Sequence, residues 1–270
     1  MLKPELPTQQ QQTPGIITNN VGKKTKYQML PSSGQLKFLN GIKGFTFRAQ
    51  YCVIQQKRFQ YKIKPYDPEL SDAQNNAMSH IAQTEKGKVS CFQFNLYSMN
   101  VLSGFENAGL IQEKRPGMFS CCKKVVFNIY TGPTTDSNLM AYFEIVRDCK
   151  ICCDGQTYMA IKDAHGSLLY SIGKFPKEKC NICCIPQCKR KPICPCFSEC
   201  KCQLCPQFYV PVMDAEENIL PYIYFKQTCR QYLAPFTYDY IYTYEFPPDM
   251  PETHRYLILQ AALFCQHNRF

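Results

Sequence analysis

Residues 254–267 set the tightest limit on what this chain can fold into. Pro251-Glu252-Thr253 offers a helix start with Thr253 or Glu252 near the cap, and Tyr256, Leu257, Ile258, Leu259, Ala261, Ala262, Leu263, Phe264 and Cys265 follow. These residues fall on every side of a helix rather than along one stripe, so the helix has to be surrounded. About 14 residues at ~1.5 Å each give roughly 20 Å, too short for a hydrocarbon core of ~30 Å. A protein interior is the predicted home of a central helix over 253–267, and the rest of the chain must wrap it.

The wrapping has strand chemistry. Aromatic and β-branched residues alternate with polar ones from Gln35 to Ile63, as in Phe45-Thr46-Phe47-Arg48. Further strands are predicted near Cys91–Val101, Lys124–Tyr130, Leu139–Arg147, Thr157–Asp163, Ser167–Gly173, Gln207–Met213, Ile219–Lys226 and Tyr238–Phe246. Asp163-Ala164-His165-Gly166 and Asp214–Asn218 supply tight reversals between neighbours. Short strands at this spacing predict a mainly β fold, a closed or sandwiched antiparallel sheet.

Two stretches depart from the pattern. Residues 1–33 are rich in Pro, Gln, Thr and Ser and read as an N-terminal tail ahead of a domain over 34–270. Residues 64–88 are acidic, open with Pro65 and Pro68, and read as an insertion with one short helix around Ser71–Gln83. Met1–Asn20 is too polar for a secretory signal, and no apolar run approaches the ~20 residues of a spanning helix. An intracellular protein is expected, peripheral to a cytoplasmic-face or organelle membrane.

Thirty-one Lys and Arg against 21 Asp and Glu leave a charge of +10, which favours a partner bearing phosphate. Nucleic acid fits poorly, because the tyrosines alternate as in buried strands rather than standing on a basic helix or an RNA-stacking pair. An anionic phospholipid membrane fits better: Lys189, Arg190 and Lys191 stand inside a cysteine-rich loop over 174–206, where attraction to such a surface amounts to ~1 kcal/mol per residue.

The 18 cysteines carry the most chemistry. Without an export signal they point away from a disulfide scaffold. Asp148-Cys-Lys-Ile-Cys-Cys matches Lys179-Cys-Asn-Ile-Cys-Cys, and the strand pattern sends both loops from the same end of the sheet. Three readings stay open. Cys149, Cys152, Cys180 and Cys183 have the paired spacing of a tetrahedral zinc site, with Cys202 and Cys205 as substitutes. Cys184, Cys188, Cys194 and Cys196 beside the basic triad suit thioacylation, since one acyl chain plus a polybasic patch holds a membrane where one chain alone does not. The third reading is reduced thiols in a turn-rich loop.

No enzyme is expected. His80, His165, His254 and His267 are scattered, and the chain lacks a glycine-rich phosphate loop, a GxSxG elbow and an HExxH pair.

The order of motifs resembles the phospholipid scramblase family. Val101-Leu-Ser-Gly-Phe-Glu106, a strand ending in Glu144 before Cys152-Cys153, a hairpin over Asp163–Gly166, the run Cys180–Cys188, Pro206-Gln207-Phe208, and Phe246-Pro-Pro-Asp249 ahead of the apolar helix come in that order, covering 91–270, with Leu36–Ile54 similar to the opening strand. The resemblance implies a closed antiparallel tubby-like β-barrel around a buried hydrophobic C-terminal helix, and lipid binding or transbilayer phospholipid movement. It also implies where the chain departs from the family. The acidic calcium-binding stretch is replaced by Tyr238, Tyr240, Ile241, Tyr242, Thr243 and Tyr244, with Asp239 and Glu245 off-register and Asp249 kept, so no calcium site is expected. Lys189–Cys205 stands where the family has a strand pair, which predicts a shorter or irregular barrel there. The alternative expectation is a structural subunit that keeps the fold inside a larger protein assembly.

Overall fold

Alternation builds a wall with one greasy face. In β1 (Gly44–Cys52), Phe45, Phe47 and Ala49 are buried while Arg48 between them is exposed. The wall continues through β2 (Lys62–Pro65), β3 (Ala82–Lys86), β4 (Ser98–Ser103), β5 (Glu106–Lys114), β6 (Val126–Tyr130), β7 (Leu139–Arg147), β8 (Thr157–Asp163), β9 (Leu168–Ile172), β10 (Gln207–Asp214), β11 (Ile219–Gln227) and β12 (Thr237–Glu245). β6 repeats the alternation with Phe127 and Ile129 buried, whereas Ala108–Ile111 of β5 and Leu169–Ile172 of β9 are buried without a break. The computed structural model describes residues 27–32, 34–52, 61–86, 98–104, 106–114, 126–147, 157–174, 207–227 and 237–268.

Each of these strands pairs antiparallel with the next, and β12 returns to β1 over Gly44↔Glu245 to Cys52↔Thr237, closing a barrel of twelve described strands. Closure leaves no edge for another chain to extend. At the seam the inward rings interlock: Phe47 stacks on Tyr242 with centroids 4.9 Å apart, and Tyr242 stacks on Phe225 at 5.0 Å.

The interior is filled by α2 (Glu252–Asn268). Tyr256 through Leu263 are fully buried and Phe264 is 1% exposed, so every side of this stretch meets protein, as the all-round apolar pattern requires. Phe264 sits edge-on to Phe127 of β6 at 4.4 Å and to Phe143 of β7 at 5.9 Å. Gln260, the polar residue in the run, donates from Nε2 to the Tyr256 hydroxyl at 2.6 Å. On β5, Gly109 makes room for that phenol, because a Cβ there would strike the Tyr256 hydroxyl and the Tyr130 carbonyl.

The two rims differ. The helix rim, through which α2 enters, gathers a 3₁₀ helix (Gly34–Leu39), the β2–β3 connection with α1 (Asp72–Ala77), the β4–β5, β6–β7, β8–β9 and β10–β11 turns, and the link from β12 to α2. The β8–β9 and β10–β11 turns are near copies. Asp163 Oδ1 accepts from the His165 and Ser167 N–H groups at 2.9 and 2.7 Å, and Asp214 Oδ1 from those of Glu216 and Asn218 at 2.9 and 2.8 Å. Both reversals read from the sequence are therefore present.

Several expectations change. Strands β7 and β8 have the predicted bounds, but residues 64–88 do not interrupt the sheet: they hold the last part of β2 and all of β3, which join β1 to β4 and without which the wall could not close. The helix expected over 71–83 is confined to Asp72–Ala77, capped by Ser71 and stopped by extended Met78 before Ala82 enters β3. β5 is a strand where none was predicted. After the cysteine-rich loop β9 pairs directly with β10 over Val212↔Ile172 to Asp214↔Tyr170, and residues 189–205, where a strand pair was expected to be replaced, lie outside the described residues. Residues 27–32 of the segment read as a tail pack on the domain, with Tyr27 and Leu30 against the core.

Candidate functional site

At the helix rim the chain collects its most constrained polar groups. The helix begins where the Arg255 N–H reaches the Pro251 carbonyl, which places His254 and Arg255 in its first turn at the mouth of the barrel. Arg255 donates from Nε to the Met250 carbonyl at 2.8 Å and from Nη1 to the Leu39 and Ile42 carbonyls at 2.9 and 3.0 Å. One guanidinium thus ties the helix, the 3₁₀ helix and the chain entering β1, with the Phe246 ring 5.3 Å beneath it.

His254 is 2% exposed and bonded through both nitrogens. Nε2 lies 2.8 Å from the Gln28 carbonyl, and Nδ1 lies 2.6 Å from the Tyr170 hydroxyl of β9. A carbonyl oxygen only accepts, so Nε2 carries the proton; in the neutral ring Nδ1 then accepts from Tyr170. Burial pushes the imidazole below its ordinary value, against the opposing pull of the Gln28 carbonyl. Burial, with smaller contributions from Tyr244, Tyr27 and Asp214, raises the Tyr170 phenol and keeps it a donor. The Tyr27 ring meets the imidazole edge-on at 5.2 Å, and Gln28 Nε2 donates to Asp163 Oδ2 at 2.6 Å. Burial works to raise the Asp163 carboxyl, but donation from Ser167, Gln28 and His165 outweighs it and holds the group low.

The opposite rim is where the sequence placed its site residues. Cys149, Cys152, Cys180, Cys183, Cys184, Cys188, Cys194, Cys196, Lys189, Arg190 and Lys191 all lie outside the described residues. The strand ends that carry them do not. Arg147 of β7 pairs with Thr157 of β8, and Ile172 of β9 pairs with Met159 of β8, so segments 148–156 and 175–206 leave from one rim, as the up-down-up reading requires. Segments 53–60, 87–97, 115–125 and 228–236 leave from that rim too. Together these six hold 16 of the 18 cysteines, and fourteen Lys and Arg against four Asp and Glu. The strand-to-strand turns of the helix rim and the link to α2 carry Asp67, Glu69, Asp72, Asp136, Glu216, Glu217 and Asp249 and no Lys or Arg, while the segment that leads into β1 adds Lys37 and Lys43, the latter paired with Asp67 and Glu69. The barrel is therefore polar along its axis, with a cysteine-rich basic rim and an acidic one.

No family model, curated protein or solved structure matches this chain. Its chemistry has to be argued from its own residues. Among the described residues no three His, Cys, Asp or Glu side chains converge as a metal would require, and no helix is long and apolar enough to cross a membrane. Cys265 is buried on α2, and burial pushes its thiol up to about 12, which leaves it protonated and unreactive. His80 and His165 are exposed, the latter in its turn as expected, while Tyr242 and Tyr244 of the Tyr-rich stretch pack in the core.

Sequence reasoning missed the cluster around His254, whose partners Gln28 and Tyr170 are 226 and 84 residues away. One signal for it was present: a histidine in the first turn of a helix that must be buried has to find two partners.

Proposed function

We propose that this barrel works at an anionic phospholipid surface with its cysteine-rich rim toward the lipid, binding phospholipid or moving it between leaflets without chemical turnover and without a calcium trigger. The axial division of charge carries this reading. Fourteen cationic side chains on the connections of one rim, with acidic connections at the other, would orient the barrel on a negative surface rather than merely attract it. The resemblance to the phospholipid scramblases points the same way. The cysteines of that rim would strengthen the contact as acylated thiols at Cys184, Cys188, Cys194 and Cys196, or stiffen it as a zinc site at Cys149, Cys152, Cys180 and Cys183.

The deciding experiment reconstitutes the purified chain into liposomes holding labelled phospholipid. Flip-flop should accelerate to the same extent with and without calcium, and binding to phosphatidylserine vesicles should weaken steeply with salt. Equal binding to neutral and anionic vesicles would overturn the reading. Hydroxylamine-labile mass on the native chain would favour acylation, and one zinc per chain lost on Cys149→Ser would favour the metal.

A second reading has its own observation. The bore is occupied along its length by α2, with side chains from Tyr256 to Phe264 in contact with the wall, so lipid has no passage through the middle. A barrel filled in this way also suits a structural subunit of a larger assembly. Recovery of the native chain only as free monomer would remove that alternative.

A further inference from the structure

The segment 27–32 is a strap across the mouth through which the central helix enters. Gln28 contributes its carbonyl to His254 Nε2 and its side-chain Nε2 to Asp163 Oδ2, the Tyr27 ring leans on the imidazole, and Leu30 packs on the core, while Met29 between them is 94% exposed. Residue 34 then opens the 3₁₀ helix, whose Leu36 and Leu39 are fully buried and whose Leu39 carbonyl is bonded by Arg255. The 3₁₀ helix is thus anchored by two fully buried leucines, whereas the strap rests on the mouth through the half-buried Tyr27 and Leu30 and the hydrogen bonds of Gln28.

We propose that the strap is a proton-released clasp: it is shut while His254 is neutral and opens when that ring takes a second proton, freeing residues 27–32 from the barrel mouth and uncovering the His254–Tyr170 pair. The geometry supplies the mechanism. Both imidazole nitrogens face neutral partners, one a carbonyl that can only accept and the other a phenol already acting as donor. A proton added at Nδ1 turns that nitrogen into a donor aimed at the Tyr170 oxygen, 2.6 Å away, so the phenol must turn its own hydrogen away inside a buried site. Neither of the ring's two partners is a carboxylate that would offset this. Asp163, on the β8–β9 turn, spends its oxygens on Gln28 Nε2 and on the N–H groups of His165 and Ser167. Asp214, on the next turn, is bonded by Glu216 and Asn218. Arg255, the neighbour on α2, turns its guanidinium to carbonyls and is itself a cation, and Tyr244 of β12 is a buried phenol pushed above its ordinary value by desolvation. Opening the strap restores the ring to water, where both protons are accommodated. The inference does not depend on the lipid reading and stands with either function.

Backbone hydrogen exchange on the full chain tests it. Rates at the Gln28, Met29, Leu30 and Ser32 amides, corrected for the intrinsic pH dependence of exchange, should rise about tenfold between pH 7.5 and 5.5, because the opened state titrates with an ordinary histidine value near 6.5. Rates in β7 and β8 should stay unchanged. His254→Gln, which can still donate to the Gln28 carbonyl and cannot titrate, should flatten the response, whereas His165→Asn, removing the exposed histidine of the adjoining turn, should leave it intact. Should His254→Gln fail to fold, the wild-type His254 ring and the Leu30 amide can be followed together by NMR. A common midpoint supports the clasp. Strap exchange that is flat across this range, a response that survives in His254→Gln, or two separate midpoints would each overturn it.

Discussion

The two rims of the barrel are built from the same twelve strands and have opposite characters. At the helix rim, backbone groups of the connections are satisfied by named side chains: Asp163 and Asp214 within their own loops, Ser71 and Gln74 in a reciprocal cap on α1, and Arg255 across three segments. The connections that leave the other rim are, taken together, basic and rich in cysteine. Local satisfaction of backbone groups is what a fold needs to close around a helix, and charge and thiols are what a partner or a modifying group can use. The difference teaches where to look for each: stability at the rim where the helix enters, interaction at the rim where the cysteines gather.

The severest test removes what both rims share. Phe264 is 1% exposed and wedged between Phe127 and Phe143, so Phe264→Ala should cost about 3–5 kcal/mol through lost burial plus the cavity left behind. That is a large share of a typical domain's 5–15 kcal/mol. If the variant does not fold, Phe264→Leu should still show a loss of about 1 kcal/mol by urea unfolding. A negligible loss in both would mean that α2 is not the core of the barrel.

A second test separates the rims by charge. Replacing Lys189, Arg190 and Lys191 with alanine together should weaken binding to phosphatidylserine vesicles by about 3 kcal/mol, more than a hundredfold, at low salt. Neutralising Asp67 and Glu69 at the helix rim should leave that affinity unchanged or slightly higher. Equal responses at the two ends would show that overall charge, rather than its placement, governs the contact.

How much of this was legible in the sequence depended on whether the deciding partner was near in the chain. The helix was legible because burial on all sides leaves a pattern in its own residues. β7 and β8 were found with their full bounds because Ala141, Phe143 and Ile145 alternate with Tyr142 and Glu144, and Met159 and Ile161 with Ala160 and Lys162. β5 was missed because its opening, Glu106-Asn-Ala-Gly109, resembles a loop; its glycine answers to Tyr256, which lies about 150 residues further on and leaves no local trace. β2 and β3 were read as the borders of an insertion because Pro65 and the acidic stretch beyond it dominate the composition, although Ile63 and Ala82 face inward across their pairing. The same distance hid the strap, since nothing near Gln28 announces a histidine at 254.

Arg255 probes how far the helix rim depends on one side chain. Arg255→Ala removes donors from the Leu39, Ile42 and Met250 carbonyls together and should cost about 2–3 kcal/mol. Arg255→Lys should recover only part of it, because one ammonium cannot reproduce a planar fork directed at three segments. Full recovery by lysine, read from urea midpoints, would mean that charge at the helix start matters and the fork does not.

The finest distinction lies between the twin turns. Gly166 and Glu217 occupy matching positions, each with its N–H on the carbonyl of the turn's aspartate, and both have positive φ, 92° and 64°. Glycine adopts that conformation without strain, whereas for glutamate it costs on the order of 1 kcal/mol. Glu217 offsets this with an ion pair from Oε1 to Lys174 Nζ at 2.8 Å, but its side chain is 73% exposed, and such pairs contribute at most a few tenths. Glu217→Gly should therefore relieve strain, lose a weak pair and add freedom to the unfolded chain, for a net change within about 0.5 kcal/mol of zero. Gly166→Ala carries the same strain with no compensation and should destabilise by about 1 kcal/mol. Measured side by side by thermal unfolding, a clear loss for Glu217→Gly would mean that the Lys174 pair anchors the β10–β11 turn more firmly than its exposure implies.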